Sequence, residues 1–147
     1  MTFNRSLFSS ASGEWETPRE LFDVLDAEFR FTLDACATPA NALCERYFCA
    51  DALEQPWTGN VYCNPPYGRQ IGEWVRKGCE EAQSGRAEVV VMLLPARTDT
   101  RWWHDYVMKA GEIRFIRGRL RFSGHKNGAP FPSCIVVFRR PAVPTVD

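Results

Sequence analysis

The sequence lacks the features that most readily assign a chemistry. None of its six cysteines forms a C-x-x-C pair, which removes the zinc ribbon and the dithiol redox motif. Its two histidines, His104 and His125, are isolated, and neither is given a chemical role. No apolar stretch approaches the roughly 20 residues of a membrane span, and the opening MTFNRSLFSSASG has no long apolar core of a secretory signal. The cytoplasm is therefore the expected location, with no membrane partner. The net charge is zero, which taken alone argues against a nucleic-acid partner.

What is there is ordinary in bulk and uneven in detail. At 147 residues, with 45% hydrophobic and 24% charged residues, the chain is expected to fold as one domain with its own core. The cysteines read as reduced, mostly packed thiols. A metal cluster from Cys36, Cys44, Cys49 and Cys63 would need spacings unlike those of zinc fingers, so no metal is expected. The zero net charge hides an asymmetry: Ile113 to Val146 hold seven basic residues and no acid, whereas residues 1 to 112 hold eleven basic against seventeen acidic. A basic segment on an acidic body is a surface suited to phosphates, or simply the solvated arginines of a two-stranded ribbon.

Periodicity places the elements. Residues 1–14 are polar and small, and a flexible segment is expected there. Thr17-Pro18 opens RELFDVLDAEF, where Leu21, Phe22, Leu25 and Phe29 recur at helical spacing, with Thr17 as candidate N-cap. Phe31 to Ala35 is a short strand ending in Asp34, and ERYFCADAL a second, with Asp51 at or just past its end. A strand then closes at Val61 to Cys63, and a helix runs from about Arg69 to Gln83. AEVVVMLLPA, bounded by Gly85 and Pro95, has the continuous apolar run of a strand covered on both faces. DTRWWHDYVMKAG is expected to be helical, with at least one of Trp102 and Trp103 in the core. EIRFIRGRLRFSG and CIVVFRR are expected to be strands, with Arg117, Arg119 and Arg121 on one side and Ile116, Leu120 and Phe122 on the other. This order predicts an α/β domain over residues 15–140, a mostly parallel sheet with an antiparallel C-terminal ribbon, and a tail at 141–147. Ligands of such sheets bind at the carboxyl ends of the strands, where Asp34, Asp51, Asn64 and the loop after Pro95 fall.

One of those ends is NVYCNPPY, residues 60–67. Pro65 and Pro66 cannot donate to a ladder, so the strand stops and leaves Asn64 at its tip beside carbonyls that have no amide hydrogens alongside them. That is a tip built to accept hydrogen bonds, or else a structural turn.

N-P-P-Y at a strand end, preceded by FTLDACA and by W-x-T-P at Trp15 to Pro18, resembles the S-adenosylmethionine-dependent adenine-N6 DNA methyltransferases. More narrowly, the chain resembles the compact phage-type Dam methyltransferases. The likeness runs from about Trp15 to Arg139 and includes LLPARTDTRWWH, GRLRFSG and APFPS. It implies a compact Rossmann-like methyltransferase fold with helices on both faces of the sheet. It implies that Asn64, Pro65, Pro66 and Tyr67 are catalytic, with Asn64 and the Pro65 carbonyl holding the adenine amine and Tyr67 stacking on a base that has left the helix. It implies that Trp15, Thr17, Pro18, Asp34, Ala35, Cys36 and Asp51 hold S-adenosylmethionine, although the Asp34 loop has no G-x-G, and that no metal is needed. Arg97, Thr98, Arg101, Arg117, Arg119, Arg121 and Lys126 are the residues expected on DNA; for those after Pro95, capping of the next helix is the competing role.

The same tetrapeptide serves enzymes that methylate protein glutamine amides. RNA adenine is another possible substrate, and an inactive DNA-binding module would be a different class altogether. The basic C-terminal segment favours nucleic acid, and the intact N-P-P-Y favours catalysis. A chain this short is expected to draw target specificity from the loops at 97–101 and 123–133 or from a second copy of itself in a homodimer, or else to have weak specificity.

Overall fold

The computed structural model describes residues 15–142. The expected flexible segment 1–14, and residues 143–147 of the expected tail, lie outside the described residues. The elements in chain order are α1 (Arg19–Phe29), β1 (Leu33–Asp34), a 3-10 turn (Ala52–Glu54), β2 (Gly59–Cys63), α2 (Ile71–Gln83), β3 (Ala87–Pro95), α3 (Arg101–Asp105), a second 3-10 turn (Val107–Lys109), β4 (Glu112–Phe115) and β5 (Ser133–Arg139).

They form one five-stranded sheet in the order β1-β2-β3-β5-β4. β1, β2 and β3 pair in parallel, and β5 runs antiparallel to both β3 and β4, so four of the five strands share a direction. This is the expected mostly parallel α/β sheet, with β5 of the C-terminal ribbon as its one reversed strand, antiparallel to β3 on one side and β4 on the other. β3 shows why its sequence is apolar throughout. Val90, Met92 and Leu94 pack into a cluster with Ile71, Val75 and Cys79 of α2. Val89, Val91 and Leu93 pack on the other face with Phe22, Leu25 and Phe29 of α1. The period of two sends alternate side chains to opposite helical layers, and each fully buried one contributes about 1.5–3 kcal/mol of transfer free energy.

Several elements differ from the sequence expectation, and for the strands pairing sets the limit. β1 is two residues long, although the Thr32 amide to the Asn60 carbonyl (2.8 Å) and the Ala35 amide to the Tyr62 carbonyl (2.9 Å) extend its contacts. The strand expected in ERYFCADAL does not form. Its neighbour β1 is too short to template a ladder, and only Tyr47 bridges to Asp34. Asp51 consequently sits exposed at φ 56° ahead of the first 3-10 turn, not at a strand end. The helix expected over DTRWWHDYVMKAG breaks at Tyr106 into α3 and the second 3-10 turn. Within it Trp103 is buried and Trp102 half-buried.

The strand expected through GRLRFSG ends at Phe115. β5 begins at Ser133, and its pairing with β4 runs out at Phe115 opposite Cys134, leaving the following residues no partner strand. The chain turns away through Gly118 at φ 74°, a conformation that suits a residue without a Cβ. Arg117, Arg119 and Arg121 are therefore not aligned on one strand face. They are exposed on a long connection between β4 and β5, whose buried Phe122 anchors it to the α1 layer. The structure also divides the basic segment. Arg114 pairs with Glu28 and Glu112, Arg139 with Glu112 and Arg140 with Glu88, so the ribbon is neutralised against the acidic body. Arg117, Arg119, Arg121 and Lys126 form no ion pair within 4.0 Å among the described residues. No described helix is long and apolar enough to cross a membrane.

Candidate active site

The parallel strands β1 and β2 end side by side, and their tips face the start of α1. Asp34 closes β1 and is 2% exposed. Its carboxylate accepts from the Cys36 amide at 3.3 Å and the Leu43 amide at 3.1 Å, so it gathers the loop that follows the strand. Burial raises its pKa from 3.8 to about 6, and the two amide hydrogen bonds oppose that rise without cancelling it. A carboxylate kept largely dehydrated, with only two donors for its several lone pairs, is prepared to receive a further donor.

Asn64 follows β2 and is 6% exposed. Its amide nitrogen donates to the Trp15 carbonyl at 2.6 Å and to Thr17 Oγ1 at 3.2 Å. Because a carbonyl can only accept, the nitrogen must be the atom facing Trp15, and the amide oxygen is turned away. That oxygen, Oδ1, is buried and has no hydrogen-bond partner among the described residues. An acceptor left in this state costs about 1–3 kcal/mol, which marks it as a group awaiting a donor.

A cleft of about 270 Å³ joins these groups and is lined by Thr17, Asp34, Cys36, Tyr62 and Asn64 together with the loop at 40–43. Its volume is close to the lower end of the roughly 300–1,000 Å³ usual for small-ligand pockets. Thr17 does not cap α1. Pro18 takes the cap position without a side-chain bond, while the Thr17 hydroxyl lies 2.6 Å from the Tyr62 hydroxyl. Tyr67 is half-buried, and its hydroxyl donates to the Leu93 carbonyl at 3.0 Å. Its ring stands edge-on to Phe131 and Phe122, with centroids 5.6 and 6.4 Å apart. Burial raises the phenol pKa of both Tyr62 and Tyr67 well above 10, so both are protonated at neutral pH. Burial, with the Asp34 charge second, pushes the Cys36 thiol to about 12 and leaves it unreactive as a nucleophile.

Of the residues expected from sequence, the cleft brings together Thr17, Asp34, Cys36 and Asn64. Trp15 meets Asn64 through its carbonyl, and Pro18, Ala35 and Pro65 are buried alongside. Asp51 is outside the lining. Arg97, Thr98 and Arg101 are exposed beyond the carboxyl end of β3, where Thr100 supplies the cap of α3 through its bond from the Trp103 amide. Arg117, Arg119, Arg121 and Lys126 are exposed on the β4–β5 connection. Glu16, Arg19, Asn41, Leu43, Tyr62 and Ser123 also line the cleft and were not singled out from the sequence. Only Tyr62 carried a signal: alternation in β2 puts it on the opposite face from Val61 and Cys63. Among the described residues no group of three or more His, Cys, Asp or Glu side chains is arranged to hold a metal.

An open, mostly parallel sheet with a polar cleft at the carboxyl ends of its strands, lined by the Asn64 of N-P-P-Y, defines an α/β domain with a ligand-sized cleft at its strand tips. The family model for DNA N-6-adenine-methyltransferase (Dam) matches residues 6–144, and the chain belongs to that family. It is 33% identical over 111 residues, 72% of its length, to the DNA N-6-adenine-methyltransferase of Escherichia phage T1, of which the match covers 45%. It is 30% identical over 121 residues, 78% of its length, to the DNA N-6-adenine-methyltransferase of Haemophilus phage HP1, of which the match covers 68%. The chain thus spans under half of the T1 protein and about two thirds of the HP1 protein. A crystal structure of a Pyrococcus horikoshii chain described as an RNA methyltransferase overlaps 85% of this chain and 60% of its own, at 18% identity and a TM-score of 0.45, too loose a match to bear on substrate.

Proposed function

We propose that the chain transfers the methyl group of S-adenosylmethionine to the N6 amine of adenine in DNA. The observation that carries this reading is the buried, unpartnered Oδ1 of Asn64, held at a strand tip beside the Asp34 cleft in a member of the Dam family. The donor set fits the cofactor: Asp34 offers free lone pairs to ribose hydroxyls or an ammonium, Arg19 faces the same cleft for a carboxylate, and the small residues Ala35 to Ala37 allow close approach. When bound, S-adenosylmethionine supplies an electrophilic methyl on a sulfonium.

The chain's own contribution is to make the amine a nucleophile. The N6 lone pair of adenine is delocalised into the ring. Asn64 Oδ1 and the Pro65 carbonyl accept its two hydrogens, draw the nitrogen toward a tetrahedral shape and aim the lone pair along one line, with Tyr67 against the ring. As the nitrogen–carbon bond forms, the methyl's bond to sulfur breaks with its electron pair staying on sulfur. The proton shed by the methylated amine passes to water, so neither acceptor needs to take it and no histidine base is required. Arg97, Thr98, Arg101 and the basic β4–β5 connection hold the phosphates, in a bacterial host cytoplasm.

The test is incubation with labelled S-adenosylmethionine and unmethylated duplex DNA, then digestion to nucleosides. Label in N6-methyladenine is expected. Label absent from DNA but present in RNA adenine or in a protein glutamine would replace the substrate, and no transfer to any of them would remove the catalytic reading.

A further inference from the structure

We infer that Thr17 is a positioning residue for the reaction, fixing the plane of the Asn64 amide through its hydroxyl, with Tyr62 holding that hydroxyl in place. The inference rests on the proposed role of Asn64. The bond from Asn64 Nδ2 to the Trp15 carbonyl, 2.6 Å, settles which way round the amide lies but not its tilt, because a planar amide can rock about a single contact. The second contact, 3.2 Å to Thr17 Oγ1, removes that freedom and so sets the direction of Oδ1.

Thr17 is well placed to do this because its hydroxyl is not spent on capping α1. The proline that follows biases it to extended backbone, and Pro18 occupies the cap position of α1 with no side-chain bond. Its hydroxyl is then clamped from the other side by Tyr62, 2.6 Å away. Tyr62 is 1% exposed, with its ring between Phe22 and Phe31 at centroid distances of 5.3 and 5.4 Å, and its phenol stays protonated. A chain of contacts thereby runs from the packed face of α1 through two hydroxyls to the amide that is to hold the substrate amine. The same short segment is fastened to the β4–β5 connection, since Ser123 donates its amide to the Glu16 carbonyl at 3.0 Å and its hydroxyl to the Thr17 carbonyl at 3.2 Å.

The discriminating substitution is Thr17→Val, nearly isosteric and lacking only the hydroxyl, with Thr17→Ser as the conservative control. In 15N-labelled protein the Asn64 side-chain amide pair, assigned by its loss in Asn64→Ala, is expected to shift in Thr17→Val and return in Thr17→Ser. In turnover, Thr17→Val is expected to lose about tenfold in kcat, the worth of one hydrogen bond left unmade, and Thr17→Ser to stay within about twofold. The KM for S-adenosylmethionine is expected to move less than kcat. An unshifted Asn64 pair in an otherwise native Thr17→Val spectrum would overturn the inference, as would a loss confined to KM, which would make Thr17 a cofactor contact alone. Should Thr17→Val fail to fold, Tyr62→Phe provides the same two readouts while keeping the buried ring. The spectral readout needs no turnover, so a wild-type protein that methylates nothing would sink the functional proposal and leave this one open to its own test.

Discussion

At the scale of single residues, the site is a pair of unfinished hydrogen-bond inventories. Asn64 has spent its donors on the protein and kept its acceptor, while Asp34 is buried with spare lone pairs. Asn64→Ala is expected to lower methyl transfer by about 100-fold or more, in the range found for removing one preorganised polar group, with cofactor affinity by calorimetry little changed. Asp34 gives a pH signature. Its folded pKa of about 6 lies above the unfolded value near 3.8, so its contribution to stability is complete below the unfolded value and is lost as pH rises through the folded one. The loss amounts to about 3 kcal/mol. Denaturant unfolding from pH 4 to 7 should show this decline in the wild type and a flatter profile in Asp34→Asn. The ionised form is the one that receives ligand donors, so S-adenosylmethionine affinity is expected to climb with pH through about 6, and a pH-independent affinity would detach Asp34 from the cofactor.

At the scale of elements, the β4–β5 connection and α2 carry the sharpest expectations. The connection holds four basic residues that form no ion pair among the described residues, close to the cleft through Ser123. Neutralising Arg117, Arg119 and Arg121 together is expected to weaken DNA binding and to reduce the slope of log K against log salt by about one for each phosphate that loses its arginine. An unchanged slope would remove the connection from the interface. In α2, Glu81 is 1% exposed yet ionic, bonded to the Trp57 amide at 2.9 Å and paired with Lys77 at 2.9 Å and with Arg86. Its carboxylate is held below the usual range by the Trp57 amide, Lys77 and Arg86, which together outweigh burial. Glu81→Ala should cost about 1–3 kcal/mol, because it leaves the buried Trp57 amide without its acceptor, and thermal melts would show it. The site side chains need not move.

At the scale of the molecule, the two core clusters lie on opposite faces of one sheet and share β3. Neither helical layer can separate without exposing an apolar face of the strand that both layers share. Equilibrium unfolding is therefore expected to be two-state, with equal calorimetric and van't Hoff enthalpies, and a resolved second transition would refute this single-core description. The zero net charge likewise conceals an arrangement: acidic residues of α1, β3 and β4 take up Arg114, Arg139 and Arg140, while Arg117, Arg119, Arg121 and Lys126 on the β4–β5 connection form no ion pair among the described residues.

The sequence by itself determined what depends on short-range pattern. The period of α1, the doubly covered β3, the strand stop at Pro65 and the placing of Asn64 and Asp34 at strand ends all follow from local sterics and alternation, which a chain cannot escape. Tertiary structure decided whatever needs a partner. ERYFCADAL and GRLRFSG have the composition of strands and are not strands, because a ladder requires an edge of matching length and neither found one. Thr17 reads as a helix cap and instead serves Asn64, because its hydroxyl had a choice of neighbours that only folding presents. Glu16, Asn41 and Ser123 reach the cleft from three separate loops, and no spacing in the chain could have announced that meeting.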